Sequence, residues 1–176
     1  MPETLQERIK KALRPVPDYP KLGSTFYDSV EVFRHGSLLK DVVEAMAAPF
    51  EGQGVSHVVG IEPQGQILGG AVAVALGAGF ISARKPRKLP WVQVRQVYSL
   101  EYGDDSLEAR RDDFVGEDKV IVVDDLLSSG GTAAAAGELV GALRGKLIGY
   151  TFIMEALADN GRARLGDTPV HVLLQI

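Results

Sequence analysis

The chain has 176 residues, of which 45% are hydrophobic and 24% charged, with a formal net charge of −4. That balance fits one soluble domain with a sizeable core and argues against nucleic-acid binding through a broadly basic surface. Cysteine is absent, which excludes a disulfide framework, a thiolate nucleophile and a cysteine zinc site. The start has no apolar segment of signal type, and no run approaches the ~18 apolar residues of a membrane span. No membrane partner is expected, and the cytoplasm is the expected compartment.

Thr4-Leu-Gln-Glu7 reads as a capping box, and Leu5, Ile9 and Leu13 then share one helical face. That helix should stop before Pro15. Residues 14–20 are Pro-rich and extended, and lead into Gly23-Ser-Thr-Phe-Tyr-Asp28. Ser37 is placed to cap a second helix, with Leu38, Leu39, Val42, Val43 and Met46 as its apolar stripe and Pro49 as its end. Val55 to Ile61 is a strand candidate, Glu62-Pro-Gln-Gly65 a turn, and Ile67, Leu68, Ala71, Val72, Ala75 and Leu76 mark a helix that Gly77 closes. Gly65-Gln-Ile-Leu-Gly69 lacks a full Gly-x-Gly-x-x-Gly, so a dinucleotide site is rejected.

Gly79 to Arg84 reads as the next strand and runs into Arg84-Lys-Pro-Arg-Lys88, a cationic cluster. Trp91 to Ser106 is an insertion long enough for a lid. Residues 112–118 form an acidic connection. Strands are expected again near 119–124, 146–153 and 169–175, with a helix to about Leu143 and a short helix or turn from Glu155 to Leu165. Strands alternating with helices imply an α/β fold with a mostly parallel sheet flanked by helices. His35, His57 and His171 have no metal spacing and read as structural or surface residues.

The stretch with the most chemistry is Val-Ile-Val-Val-Asp-Asp-Leu-Leu-Ser-Ser-Gly-Gly-Thr, Val120 to Thr132. A β-branched run of this kind is a buried parallel strand. Ser128, Ser129, Gly130, Gly131 and Thr132 then form a small polar loop at a helix start, where backbone N–H groups and the helix dipole favour a phosphate. The carboxylates of Asp124 and Asp125 repel that anion but can accept hydrogen bonds from the two vicinal hydroxyls of a ribose. No Gly-Lys-Ser/Thr follows, so the loop is not a nucleoside-triphosphate loop. It suits a sugar with a terminal phosphate.

Val-Asp-Asp-Leu-Leu-Ser-Ser-Gly-Gly-Thr resembles the phosphoribosyl pyrophosphate (PRPP) motif of the type I phosphoribosyltransferases, and is especially similar to the adenine phosphoribosyltransferases. The resemblance runs from about residue 17 to 175. It implies a single domain over 1–176, with a small N-terminal hood at about 1–35 and a mobile flap at about 85–106. Phe26 matches a residue that stacks on the purine, and Tyr27, expected with it to contact the base, stands where the family usually has Arg. Gly60-Ile-Glu-Pro-Gln-Gly65 is similar to the pyrophosphate loop, which commonly holds a cis peptide. Here Pro63 makes cis accessible at ~0.5–1 kcal/mol, and Gln64 replaces an Arg, removing a charge from the pyrophosphate side. Arg84, Lys85, Lys88, Leu89 and Pro90 match the family's cationic run.

Within Ser99-Leu-Glu-Tyr-Gly103, Glu101 matches the flap residue that exchanges a proton with the purine, and Tyr102 the one that closes over the pyrophosphate side. A carboxylate is chemically apt, because a purine nitrogen loses a proton as it attacks. The implied reaction is purine plus PRPP giving a nucleotide and pyrophosphate, with adenine the expected base and magnesium carried by PRPP. The alternatives are a 6-oxopurine or modified purine, or a regulatory protein that binds PRPP without turnover. A homodimer is expected by the same resemblance.

Overall fold

The structure is a computed structural model describing residues 3–176 except 20, 21, 24, 91, 92, 101, 102 and 115–117. Helix α1 (Leu5–Ala12) begins on the expected capping box: Thr4 Oγ1 accepts the Glu7 N–H at 3.2 Å, and the Glu7 carboxylate accepts the Thr4 N–H at 2.8 Å. Strands β1 (Arg14–Pro17) and β2 (Thr25–Asp28) pair antiparallel, with Val16 opposite Phe26. Helix α2 (Val30–Arg34), not anticipated from sequence, leads into α3 (Gly36–Ala47). The extended backbone of His35 makes the break between them, so Ser37 lies inside the first turn rather than capping it.

The remaining elements are β3 (His57–Ile61), α4 (Gln64–Leu76), β4 (Gly79–Ala83), β5 (Gln93–Leu100), β6 (Gly103–Arg110), β7 (Lys119–Leu127), α5 (Gly131–Ala142), β8 (Lys146–Glu155) and β9 (Val170–Gln175). Five strands form one parallel sheet in the order β4-β3-β7-β8-β9. The 91–106 insertion contains an antiparallel β5-β6 hairpin that continues to Arg110.

Central strand β7 is buried on both faces, with Val120, Ile121, Val122 and Val123 all 0% exposed. That is why its sequence is a continuous β-branched run rather than an alternating one. Val120 and Val122 face a core shared with α5 and the hairpin residues Tyr98, Leu107 and Ala109. Ile121 and Val123 face a second core with Ile9, Val42, Met46, Leu68 and Val72 from α1, α3 and α4. The sheet therefore lies between two apolar layers, and its parallel strands all end on one edge.

Strand β7 extends beyond the expected 119–124. Asp124 pairs with Phe152, Leu126 with Met154 and Leu127 with Glu155. The acid pair thus sits on rigid strand rather than in the following loop.

Candidate active site

Three segments leave the carboxyl ends of the neighbouring strands β4, β3 and β7, the edge where open α/β sheets gather ligands. The Glu62–Pro63 bond after β3 is cis, and α4 starts at once with Gln64. The turn presses on β7: a Cβ added at Gly65 would lie 2.5 Å from the Val123 carbonyl and 2.8 Å from Asp124 Oδ1. Glycine is needed there for close backbone approach. Glu62 ties the turn to the loop after β4. Its carboxylate accepts the Lys85 N–H at 2.9 Å and an ion pair from Lys88, while its own N–H donates to the Ala83 carbonyl at 3.0 Å. Burial opposes its charge, but Lys88 and the Lys85 N–H outweigh burial and hold the carboxyl below its ordinary range.

The cationic loop is fixed from its other side by the hairpin. Arg84 exchanges backbone hydrogen bonds with Glu108 at 2.9 and 2.8 Å. Lys85 Nζ donates to Tyr98 Oη at 2.7 Å and to Asp105, and lies 5.4 Å from the Tyr98 ring centre. Burial disfavours the ammonium, but Asp105 and Tyr98 prevail and raise its pKa. Glu108, fully buried, accepts the Arg87 N–H at 3.0 Å and Arg95 Nε at 2.7 Å.

Asp124 and Asp125 stand side by side at the end of β7. Burial first, and the Asp125 charge second, push the Asp124 carboxyl well above its ordinary value. Asp125 is also raised, by burial, although the Ser29 hydroxyl donates to it. Two adjacent carboxyls in one poorly solvated site titrate as a coupled pair, each opposing the other's charge.

The phosphate-loop candidates follow directly. Gly130 has φ 78, a left-handed angle that favours glycine, and caps α5, which opens with Gly131 and Thr132. The first N–H groups of α5 have no intrahelical acceptor, so they can face an anion. Gly161, in a 3-10 turn (Gly161–Leu165), backs this loop so closely that a Cβ there would lie 1.8 Å from the Ser128 carbonyl. Ser128 Oγ donates to Asp159. Behind them Arg162 donates two hydrogen bonds, at 3.0 and 2.8 Å, to the buried carboxylate of Glu155.

Pro63, Gln64, Arg84, Lys85 and Lys88 thus share one edge of the sheet with Asp124, Asp125 and Ser128–Thr132. On β2, Tyr27 packs against the α1/α3/α4 core, while Phe26 is half-buried on the other face of its strand and meets Tyr19 edge-on at 5.6 Å. Ser29, just beyond β2, links the N-terminal hairpin to Asp125. Glu101 and Tyr102 lie outside the described residues. Sequence reasoning did not single out Ser29, Tyr98, Asp105, Glu108, Asp159, Gly161 or Arg162. Their partners are distant in the chain and leave no periodic mark; an Asn-Gly turn at Asn160 is the one local signal that could have drawn notice to Gly161.

The Phosphoribosyl transferase domain family matches residues 30–171 of this chain. The chain belongs to the phosphoribosyltransferase family. Within it, the adenine phosphoribosyltransferase of Myxococcus xanthus (strain DK1622) is 46% identical over 171 residues, 97% of this chain and 93% of that protein. That of Anaeromyxobacter dehalogenans (strain 2CP-C) is 43% identical over 97% of this chain and 99% of its own length. The crystal structure of adenine phosphoribosyltransferase from Rhodothermus marinus DSM 4252 superposes with a TM-score of 0.92 at 42% identity, covering 98% of each chain. The Saccharomyces cerevisiae enzyme, solved with adenine and an imino-altritol bisphosphate, gives 0.90 at 36% identity, covering 96% of this chain and 98% of that one.

Proposed function

We propose that this chain transfers the phosphoribosyl group of PRPP to adenine, giving AMP and pyrophosphate in purine salvage. The observation that carries the reading is the convergence of acid pair, phosphate loop and cationic loop on one sheet edge, in a chain whose near-full-length relatives are adenine phosphoribosyltransferases. In this reading Ser128, Ser129, Gly130, Gly131 and Thr132 hold the 5-phosphate, and Asp124 and Asp125 accept the two ribose hydroxyls. Pro63, Gln64, Arg84, Lys85, Lys88 and Tyr102 face the pyrophosphate. Phe26 stacks on the base, with Tyr27 anchoring its strand.

As the C1–O bond to pyrophosphate breaks, positive charge grows on the ribose C1, and the acid pair and the held pyrophosphate stabilise it. The base nitrogen forms the new bond to C1 and gives its proton to Glu101. Magnesium enters as part of the substrate, bound through PRPP oxygens and water. Among the described residues no cluster of three or more acidic or histidine side chains forms a cage of its own. Arg84 and the lysines suit a metal-bound pyrophosphate better than the acid pair does. The hood, flap and sheet are read as one domain, acting as a cytoplasmic homodimer.

The test is turnover with PRPP and magnesium, offering adenine, guanine, hypoxanthine and xanthine separately. AMP from adenine alone supports the reading. Product from a 6-oxopurine moves the specificity, and PRPP binding without product from any base replaces the enzyme with a regulatory protein. Glu101→Ala should lower turnover while leaving PRPP affinity nearly unchanged, and light scattering at assay concentration should give twice the chain mass.

A further inference from the structure

The loop at 84–88 carries four cations, and the structure divides them by type. The two lysines are neutralised within the chain, Lys85 by Asp105 and Lys88 by Glu62. Among the described residues, neither Arg84 nor Arg87 has a guanidinium hydrogen bond or ion pair, and the buried Arg84 Nε has no partner. Both guanidinium forks thus keep their donors free of hydrogen bonds within the described residues, while the Arg84 charge lies near enough to Glu62 to help hold that carboxyl low. Arginine forks match phosphate oxygens better than lysine point charges do.

Arg87 is the less expected of the two. Its φ is 66, a left-handed angle that glycine adopts freely and a residue with a Cβ adopts only at a cost. The loop is pinned around it: the Arg87 N–H goes to buried Glu108, while the Lys85 N–H and Lys88 Nζ on either side both go to Glu62. Position 87 thus stands between two tethers to the residue that immediately precedes Pro63 and Gln64. Gln64 is neutral where the family resemblance expects Arg, and Arg87, without an ion-pair partner among the described residues, sits at a left-handed angle on the loop fastened to the same turn.

We propose that Arg87 supplies the charge that Gln64 lacks, its guanidinium binding the pyrophosphate of PRPP. This rests on the reading of the chain as a PRPP-dependent transferase. Arg87 is then a binding residue peculiar to this pairing of positions, and the two sites are exchangeable.

The experiment compares the parent with Arg87→Gly, Arg87→Asn, Gln64→Arg, and the double variant Gln64→Arg/Arg87→Gly. Glycine and asparagine both tolerate the left-handed angle, so these variants should fold with undiminished thermal midpoints. Arg87→Gly and Arg87→Asn should each raise KM for PRPP about tenfold, the equivalent of one charge-assisted hydrogen bond, with KM for adenine unchanged. The double variant should recover most of that loss. An unchanged KM for PRPP in Arg87→Gly, an equal rise in KM for both substrates, or a double variant no better than Arg87→Gly would each overturn the proposal. Should the parent make no nucleotide at all, the transferase reading fails separately. Calorimetric titration of the same variants with magnesium and PRPP then decides on Arg87: about tenfold weaker binding in Arg87→Gly supports it, and equal binding sinks it.

Discussion

Gly161→Ala probes the proposed phosphate loop, Ser128 to Thr132, without changing a residue assigned to substrate. The added methyl would lie 1.8 Å from the Ser128 carbonyl oxygen and 2.7 Å from the Gly130 nitrogen, whereas real contacts of this kind essentially never fall below 3.0 Å. The backbones must therefore part by at least about 1.2 Å. The Gly161 side is held by the two Arg162–Glu155 hydrogen bonds, and the far end of the loop by the Ala156 N–H on the Leu127 carbonyl at 2.9 Å. Most of the movement falls on Ser128 to Gly130. A misplacement of ~1 Å costs about 100-fold in rate, or ~2.7 kcal/mol. Initial rates with PRPP varied at saturating adenine should show kcat/KM for PRPP down about 100-fold, while KM for adenine stays put. Overpacking should also lower stability by ~1–3 kcal/mol, measured by calorimetry. A variant with kcat/KM for PRPP within about threefold of the parent, well short of the expected loss, would show that the loop does not depend on this contact.

Three further outcomes are expected. Asp124 has a folded-state pKa above its unfolded one, so its stabilising contribution is full at low pH and is lost as pH rises through the folded value. Asp124→Asn should therefore raise the thermal midpoint at neutral pH, by the ~2–4 °C that ~1 kcal/mol is worth in a chain of this size, while weakening PRPP binding in a titration; a lowered midpoint would contradict the burial argument. Glu155 is the opposite case, its carboxyl held below the ordinary 4.5 by Arg162 despite burial. Glu155→Gln leaves a partly exposed Arg162 behind, so it should cost ~1.5 kcal/mol near neutrality, the worth of a charge-assisted hydrogen bond, and denaturant melts should find that gap closing as pH falls below about 4.5. Gly65→Ala places a methyl 2.8 Å from Asp124 Oδ1; it should reduce kcat/KM for PRPP by at least about tenfold, and an unaffected value would mean that the turn yields freely.

The sheet was legible because burial writes directly into composition. The doubly buried strand at Val120–Val123 and the capping box at Thr4 were both readable from a few neighbouring residues. The end of β7 was not, because the apolar pattern stops at Asp124 while backbone pairing to β8 runs on to Leu127. Ser37 misled because a helix start there is set by the break after α2 rather than by a side-chain cap. At the site, the motif residues named the chemistry, but their supports were hidden. Ser29 and Asp125 are 96 positions apart, and Ser128 and Asp159 are 31. No local pattern records a hydrogen bond of that span.

Those hidden supports follow a common plan. Each of the two loops proposed to face an anion is backed by a buried carboxylate satisfied by an arginine: Glu108 with Arg95 behind residues 84–88, and Glu155 with Arg162 behind residues 128–132. In both pairs the carboxylate is buried while the arginine side chain is about half exposed, 49% for Arg95 and 44% for Arg162, so losing the arginine would leave a buried charge uncompensated, and the pair holds its geometry firmly. Firm backing matters here because the loops in front contain unfavourable features: a left-handed arginine, touching glycine backbones and a crowded acid pair. Strained groups persist only where their surroundings over-determine them. The two carboxylate–arginine pairs supply that constraint from behind the loops, on side chains other than the proposed binding residues.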